Sequence, residues 1–282
     1  MVWVQTLSEY TPSQDELSLA LATAQEYQRR ITPIVSCRLA PNITQAFDYF
    51  LNLINAPENS TALNKWEVKN KKWKEMLLTG INSNTRTSLT ITAYHATRIR
   101  ELNNQVIDAL DGFPIAFNEV MAGGDTTVLD AEYQAFILAA RRTLDQLTYA
   151  ISGFFKNKFS SFRDFGVYLS KQKKLDIYSA PLLKIYNTHE IHFHNWLLSR
   201  NEKQSIRDLL AHQKSISAGT LNVSSSGIFF SGMDAPSPEF EQQNISDVVL
   251  KLFQELSTCI NDLIQQATKN LEHFLTTLVV TE

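Results

Sequence analysis

The stretch from Val249 to Leu278 constrains the fold more than any other part of the chain. Val249, Leu252, Leu256, Ile260, Leu263, Ala267, Leu271, Phe274 and Leu278 recur every three or four residues. That is the period of one apolar face of a long α-helix, whereas strand side chains alternate every two. Ser237-Pro238-Glu239 supplies a helix start ahead of it. The near-heptad spacing also makes the stripe a candidate seam for dimerisation.

The same period recurs upstream. Ser13 and Glu16 have capping-box spacing before Leu17, Leu21 and Ala24, and that helix should end before Pro33. A second helix carries Ile43, Phe47, Phe50, Leu51 and Ile54 and stops near Pro57. From Leu89 to Met121 a stripe of Ile99, Leu102, Val106, Leu110 and Phe113 is interrupted by Pro114, with a break at Gly123-Gly124-Asp125. Phe136, Ala140, Leu144, Leu147, Ile151 and Phe154 mark the best helix of the middle section, and another runs from Pro181 to Leu198. With only 9 Gly and 8 Pro in 282 residues, a turn-rich β-sandwich is excluded. One segment reads as strand: Thr220–Val223 and Ile228–Phe230 flank a Ser-Ser-Ser-Gly turn, the pattern of a short hairpin. The expectation is therefore an all-α, up-and-down helical bundle with a short β-hairpin insert. Residues 1–85 are read as a helical extension and residues 86–282 as the bundle.

Net charge is −3, so no global basic field draws in nucleic acid or an anionic membrane, and any nucleic-acid site must be local. Cys37 and Cys259 stand far apart outside any CxxC pair and read as small hydrophobes. No basic residue precedes a short apolar run at the N-terminus, and no run approaches the ~20 residues of a membrane span. A cytoplasmic protein without membrane contact is expected.

The chemical lead is Arg207-Asp208-Leu209-Leu210-Ala211-His212. An arginine never deprotonates and forks onto phosphate oxygens, while an imidazole titrates near neutrality and moves protons. Five residues of helix rotate by about 500°, leaving the two roughly 140° apart. They converge only if Arg207 lies at a helix start or reaches around. Asp208 and His212 share a face at i,i+4, so Asp208 is expected to orient the imidazole.

This stretch resembles the R-(N/D/H)-x-x-x-H signature of the HEPN superfamily. The segment Phe136–Leu147, with its Arg-x-x-Leu-Asp pattern ending at Asp145, is similar to an early helix of bacterial members. The resemblance covers roughly residues 90–280. It implies a helical bundle acting as a homodimer, with RNA as the partner and either metal-independent endoribonuclease activity or RNA binding, of a bacterial defence or toxin type paired with an antitoxin. It assigns Arg207 to the phosphate, His212 to proton transfer and Asp208 to positioning, with no cofactor and no metal. Asp145 would approach the loop bearing Arg207. The rival reading is a non-catalytic helical scaffold, dimerised through the C-terminal stripe.

Other clusters read more plainly. The segment Asn64–Lys74 carries five Lys and two Trp and reads as a solvated amphipathic face with aromatic anchors. His189, His192 and His194 do not meet zincin spacing, because Phe193 stands at i+4 from His189. They read as a polar helix face, as two ligands (His189 and His192, at i,i+3) of a metal with an unseen third, or as lining the Arg207 cleft. Arg163-Asp164-Phe165-Gly166 lacks every companion motif of a kinase and reads as a junction packed on the core. Arg141 and Asp145 are spaced for an intrahelical pair.

Overall fold

The computed structural model describes residues 13–15, 18–19, 21–23, 25–26, 37–110, 119–122, 126–172, 176–200, 204–212, 214–224, 227–236, 238–241 and 243–280. The chain divides into two compact units, Met1–Arg38 and Leu39–Glu282. In the first, the described residues from 14 to 26 are helical. Glu16, Leu17, Ala24 and Pro33, on which the expected cap, stripe and stop depend, lie outside the described residues.

The second unit begins earlier than the boundary read at residue 85. Helix α1 (Pro41–Asn55) and helix α2 (Ser60–Thr79) belong to the same body as the later helices, because their apolar faces have nowhere else to go. Phe47 and Phe50 of α1 and Leu77 of α2 are fully buried in one continuous core. The Lys-rich face behaves as read: Trp66 is buried edge-on against Phe274 at 4.9 Å, while Lys74 pairs with Glu67 at 2.5 Å. A π-helical turn, Gly80–Thr85, joins α2 to α3 (Arg86–Ala109).

Helix α3 ends at Ala109, short of the stripe read to Met121. Leu110 closes it as a turn residue, and Phe113 and Pro114 lie outside the described residues. Glu119–Ala122 is strand β1 instead. The central helix is α4 (Thr127–Phe155), whose Phe136, Ala140, Leu144, Leu147 and Ile151 are all fully buried. Short helices α5 (Phe162–Ser170), α6 (Ser179–His189) and α7 (Ile206–His212) follow. Helix α6 gives way to a 3₁₀ turn at Glu190, so the helix read through Leu198 stops early.

The hairpin forms where expected, from β2 (Thr220–Ser224) and β3 (Gly227–Ser231), with Leu221 opposite Phe230. Strand β1 joins β2 on its other side, with Val120 opposite Val223, to make a three-stranded antiparallel sheet in the order β1-β2-β3. A single turn, α8 (Pro238–Glu241), precedes α9 (Ile245–Val280). The α9 stripe is spent inside the chain: Val249, Leu252, Leu256, Ile260, Leu263, Ala267 and Leu271 are at most 1% exposed. It faces α1, α3 and α6, which removes it as a dimer seam. The unit is an all-helical bundle with a small sheet, and no described helix is long and apolar enough to cross a membrane. Cys259 is buried within α9.

Candidate functional site

Arg207 is positioned by a tight turn between the 3₁₀ segment Glu190–Phe193 and α7. Asn195 adopts a left-handed φ of 70°, a conformation that Asn tolerates better than most residues. Its amide donates to the Leu198 carbonyl at 2.9 Å. The carbonyls of Asn195 and Trp196 then accept from the amides of Ile206 (2.8 Å) and Arg207 (3.0 Å), two of the free donors that open α7. Trp196 fixes this turn to the core, stacking on Phe136 of α4 at 6.0 Å and donating its indole N–H to the His192 carbonyl at 2.7 Å. Ser205 caps α7, its hydroxyl accepting from the Asp208 amide at 3.2 Å.

Arg207 thus stands in the first turn of α7, as its spacing from His212 requires, and Asp208 holds it there. The Asp208 Oδ1 accepts from Arg207 Nη1 at 2.8 Å, and its Oδ2 accepts from Ser199 Oγ at 2.5 Å. Burial disfavours the ionised Asp208 carboxyl, but hydrogen bonds from Ser199, Arg207 and Ser205 outweigh it and hold its pKa below the usual value. Neither oxygen goes to His212. The expected Asp208–His212 pair is replaced by one in which the carboxylate positions the arginine, because Ser199 and Arg207 reach it first. His212 lies exposed at the last position of α7.

The remaining face of Arg207 opens onto a cleft of about 530 Å³, lined also by Asn84, Arg141, Arg142, Asp145, Gln146 and Tyr149. The motif and the Arg141–Asp145 helix therefore meet at one cleft. They do so without a direct pair, because Asp145 is occupied. Its Oδ2 accepts from Arg141 Nε at 2.8 Å and its Oδ1 from the Phe162 amide at 3.0 Å, tying α4 to the start of α5. Arg141 also donates to the Leu197 carbonyl at 2.9 Å. Across the cleft, the π turn presents Asn84, whose carbonyl accepts from the Gln146 amide at 2.7 Å, while the Gln146 oxygen accepts from Arg142 Nε at 3.1 Å. π turns often mark functional positions because they displace a side chain from helical register. Arg207 Nε is buried without a hydrogen-bond partner among the described residues. Three guanidiniums thus surround a space holding one carboxylate, which one of them already engages.

His212 does not line this cleft. The other histidines do not line it either. His189 pairs with Asp262 at 2.8 Å, His192 with Glu255 at 3.7 Å and His194 with Glu190 at 3.3 Å. Among the described residues no group of three or more His, Cys, Asp or Glu could hold a metal. Sequence reading singled out Arg207, Arg141 and Asp145 but missed Asn84, Gln146 and Ser199. Of these, only Asn84 carried a signal, in the polar stretch of residues 82–87 between two apolar stripes. Compared with family models, curated proteins and solved structures, the chain matches none.

Proposed function

We infer that this protein binds RNA through the Arg207 cleft and cleaves it without a metal, as a HEPN-like endoribonuclease of defence or toxin type. The observation that carries the reading is the convergence of Arg141, Arg142 and Arg207 on a cleft with one carboxylate, in a chain of net charge −3. Guanidiniums concentrated against an acidic background make a local phosphate site, and their planar forks match phosphate oxygens. In-line attack by a 2′-OH needs a base for that proton, an acid for the departing 5′-oxygen, and a cation for the charge on phosphorus. Arg207 meets the last requirement.

The two proton transfers fall to His212, and a second copy of the chain must bring it. Within one chain His212 lies exposed at the end of α7 and does not line the cleft, nor does any other histidine. A homodimer that brings both copies of α7 to one composite cleft supplies two imidazoles, one to take the 2′-OH proton and one to protonate the departing 5′-oxygen.

The test uses purified protein with mixed RNA in EDTA, beside Arg207→Ala and His212→Ala variants. Cleavage is expected in the wild type alone, with the His212 variant binding RNA normally. Cleavage that survives in His212→Ala overturns its role. RNA binding that is lost with Arg207, without cleavage by the wild type, selects a non-catalytic RNA-binding protein; neither binding nor cleavage selects the rival reading of a helical scaffold or partner-binding protein.

A further inference from the structure

Beyond the Arg207 cleft lie two more, which share a wall. One, of about 350 Å³, is lined by Arg163, Tyr186, Glu190, His194, Ser199 and Arg200. The next, of about 330 Å³, is lined by His192, His194, Arg200, Lys251 and Glu255 among others. His194 and Arg200 belong to both.

The first of these abuts the Arg207 cleft through a partition of backbone and one carboxylate. Ser199, which lines it, donates to Asp208, and Asp208 holds Arg207. Leu198, also on its wall, follows Leu197, whose carbonyl takes the guanidinium of Arg141. Arg163 stands in the first turn of α5, three residues beyond Ser160 of the Arg207 cleft.

The arginines and the lysine of the outer clefts are not consumed by ion pairs among the described residues. Arg163 and Arg200 are exposed, and among the described residues neither takes part in an ion pair. Lys251 sits over the ring of Phe240 at 4.8 Å rather than against a carboxylate. His194 Nδ1 is buried without a partner among the described residues. Burial pushes the Glu255 carboxyl pKa up, against the pull of His192 and Lys251. Along the three clefts six permanent cations face three carboxylates, in a chain whose net charge is −3. Cations that converged on one point would suit a single small anion. These are spread along adjoining clefts, which suits a repeating one.

We propose that the Arg163–Arg200 cleft and the His192–Lys251 cleft beyond it form a phosphate track for the flanking nucleotides of an RNA strand bound at Arg207. The track rests on the reading of the Arg207 cleft as an RNA site. Fluorescence anisotropy on the full chain separates the two, using a labelled dinucleotide and an oligonucleotide of roughly eight residues, within the range of single-strand grooves. The variants are Arg207→Gln and the double variant Arg163→Gln/Arg200→Gln, whose exposed positions leave the core untouched; circular dichroism checks that each is folded.

The double variant should bind the longer strand about tenfold more weakly, flatten its salt dependence by about 0.7 in log–log slope per arginine, and bind the dinucleotide as wild type does. Arg207→Gln should weaken both ligands. Wild-type affinity and slope for the longer strand in the double variant overturn the track and leave the Arg207 site standing. Equal loss on both ligands also overturns it, since the two arginines would then act on the Arg207 cleft itself. Indifference of both ligands to Arg207→Gln overturns the RNA site and the track together.

Discussion

Asp208 shows how far the spacing of a motif can be trusted. Its position at i,i+4 from His212 predicts that the two side chains share a face, and helix α7 places them so. Which neighbour takes the carboxylate is decided elsewhere. Ser199 comes from nine residues upstream, and its approach depends on the left-handed turn at Asn195, which local sequence does not announce. The arrangement is therefore a positioning device for Arg207, and it should be sensitive to acid. The Asp208 pKa is lowered in the folded chain, so its contribution to stability is fully present above the unfolded value of about 3.9 and is lost as pH falls through the folded one. Denaturant midpoints measured from neutral pH to below 4 should show Asp208→Asn weaker at neutral pH, with the gap to wild type closing at the acid end. A gap that stays constant across that range would sink the assignment. Ser205→Ala, which removes the cap of α7, should cost about 1 kcal/mol in the same measurement.

At the scale of elements, what was legible is what a repeating pattern encodes. The stripes of α1, α4 and α9 and the β2–β3 hairpin are periodic or carry turn chemistry, and each forms where its residues indicate, while the α3 stripe is helical only as far as Ala109. Strand β1 was not legible, because four residues, Glu119–Ala122, become a strand only by pairing with β2 about a hundred positions later. The close approach of α2 to α4 was hidden for a different reason, since glycines that admit a neighbouring helix look like any others. A Cβ on Gly153 would lie 2.6 Å from the Trp73 carbonyl oxygen and 3.0 Å from Leu77 Cβ. Alanine is the better helix former by about 1 kcal/mol, so propensity alone predicts that Gly153→Ala stabilises. The obstructing atom is backbone and cannot swing aside, so overpacking should win and leave a net loss of about 1–2 kcal/mol. Urea unfolding reads the sign directly, and a gain in stability would show that the two helices are less tightly opposed than described.

For the whole molecule, the length and regularity of the C-terminal stripe invited two readings, a core helix or a seam between copies, and periodicity does not distinguish them. The decision belongs to the partners. Helices α1 and α2, read by sequence as an extension, pack into the same body and supply the apolar surface that closes over α9. The boundary at Arg38 and the burial of the stripe are thus one fact. Leu256 is fully buried within the unit, and Leu256→Ala should destabilise the chain by about 2–5 kcal/mol, the range for a deleted core leucine. The loss should be the same at every protein concentration, because the cavity opens inside one chain. If the stripe instead joined two copies, unfolding would be coupled to dissociation, and the melting temperature of the wild type would climb with concentration while that of the variant fell furthest in dilute solution. Melting curves for both proteins over a hundredfold dilution series, with sedimentation to follow the assembly state, decide the matter. A dimer that His212 requires must then use a surface other than the α9 stripe, and Leu256→Ala should leave its assembly unchanged at temperatures where the chain remains folded.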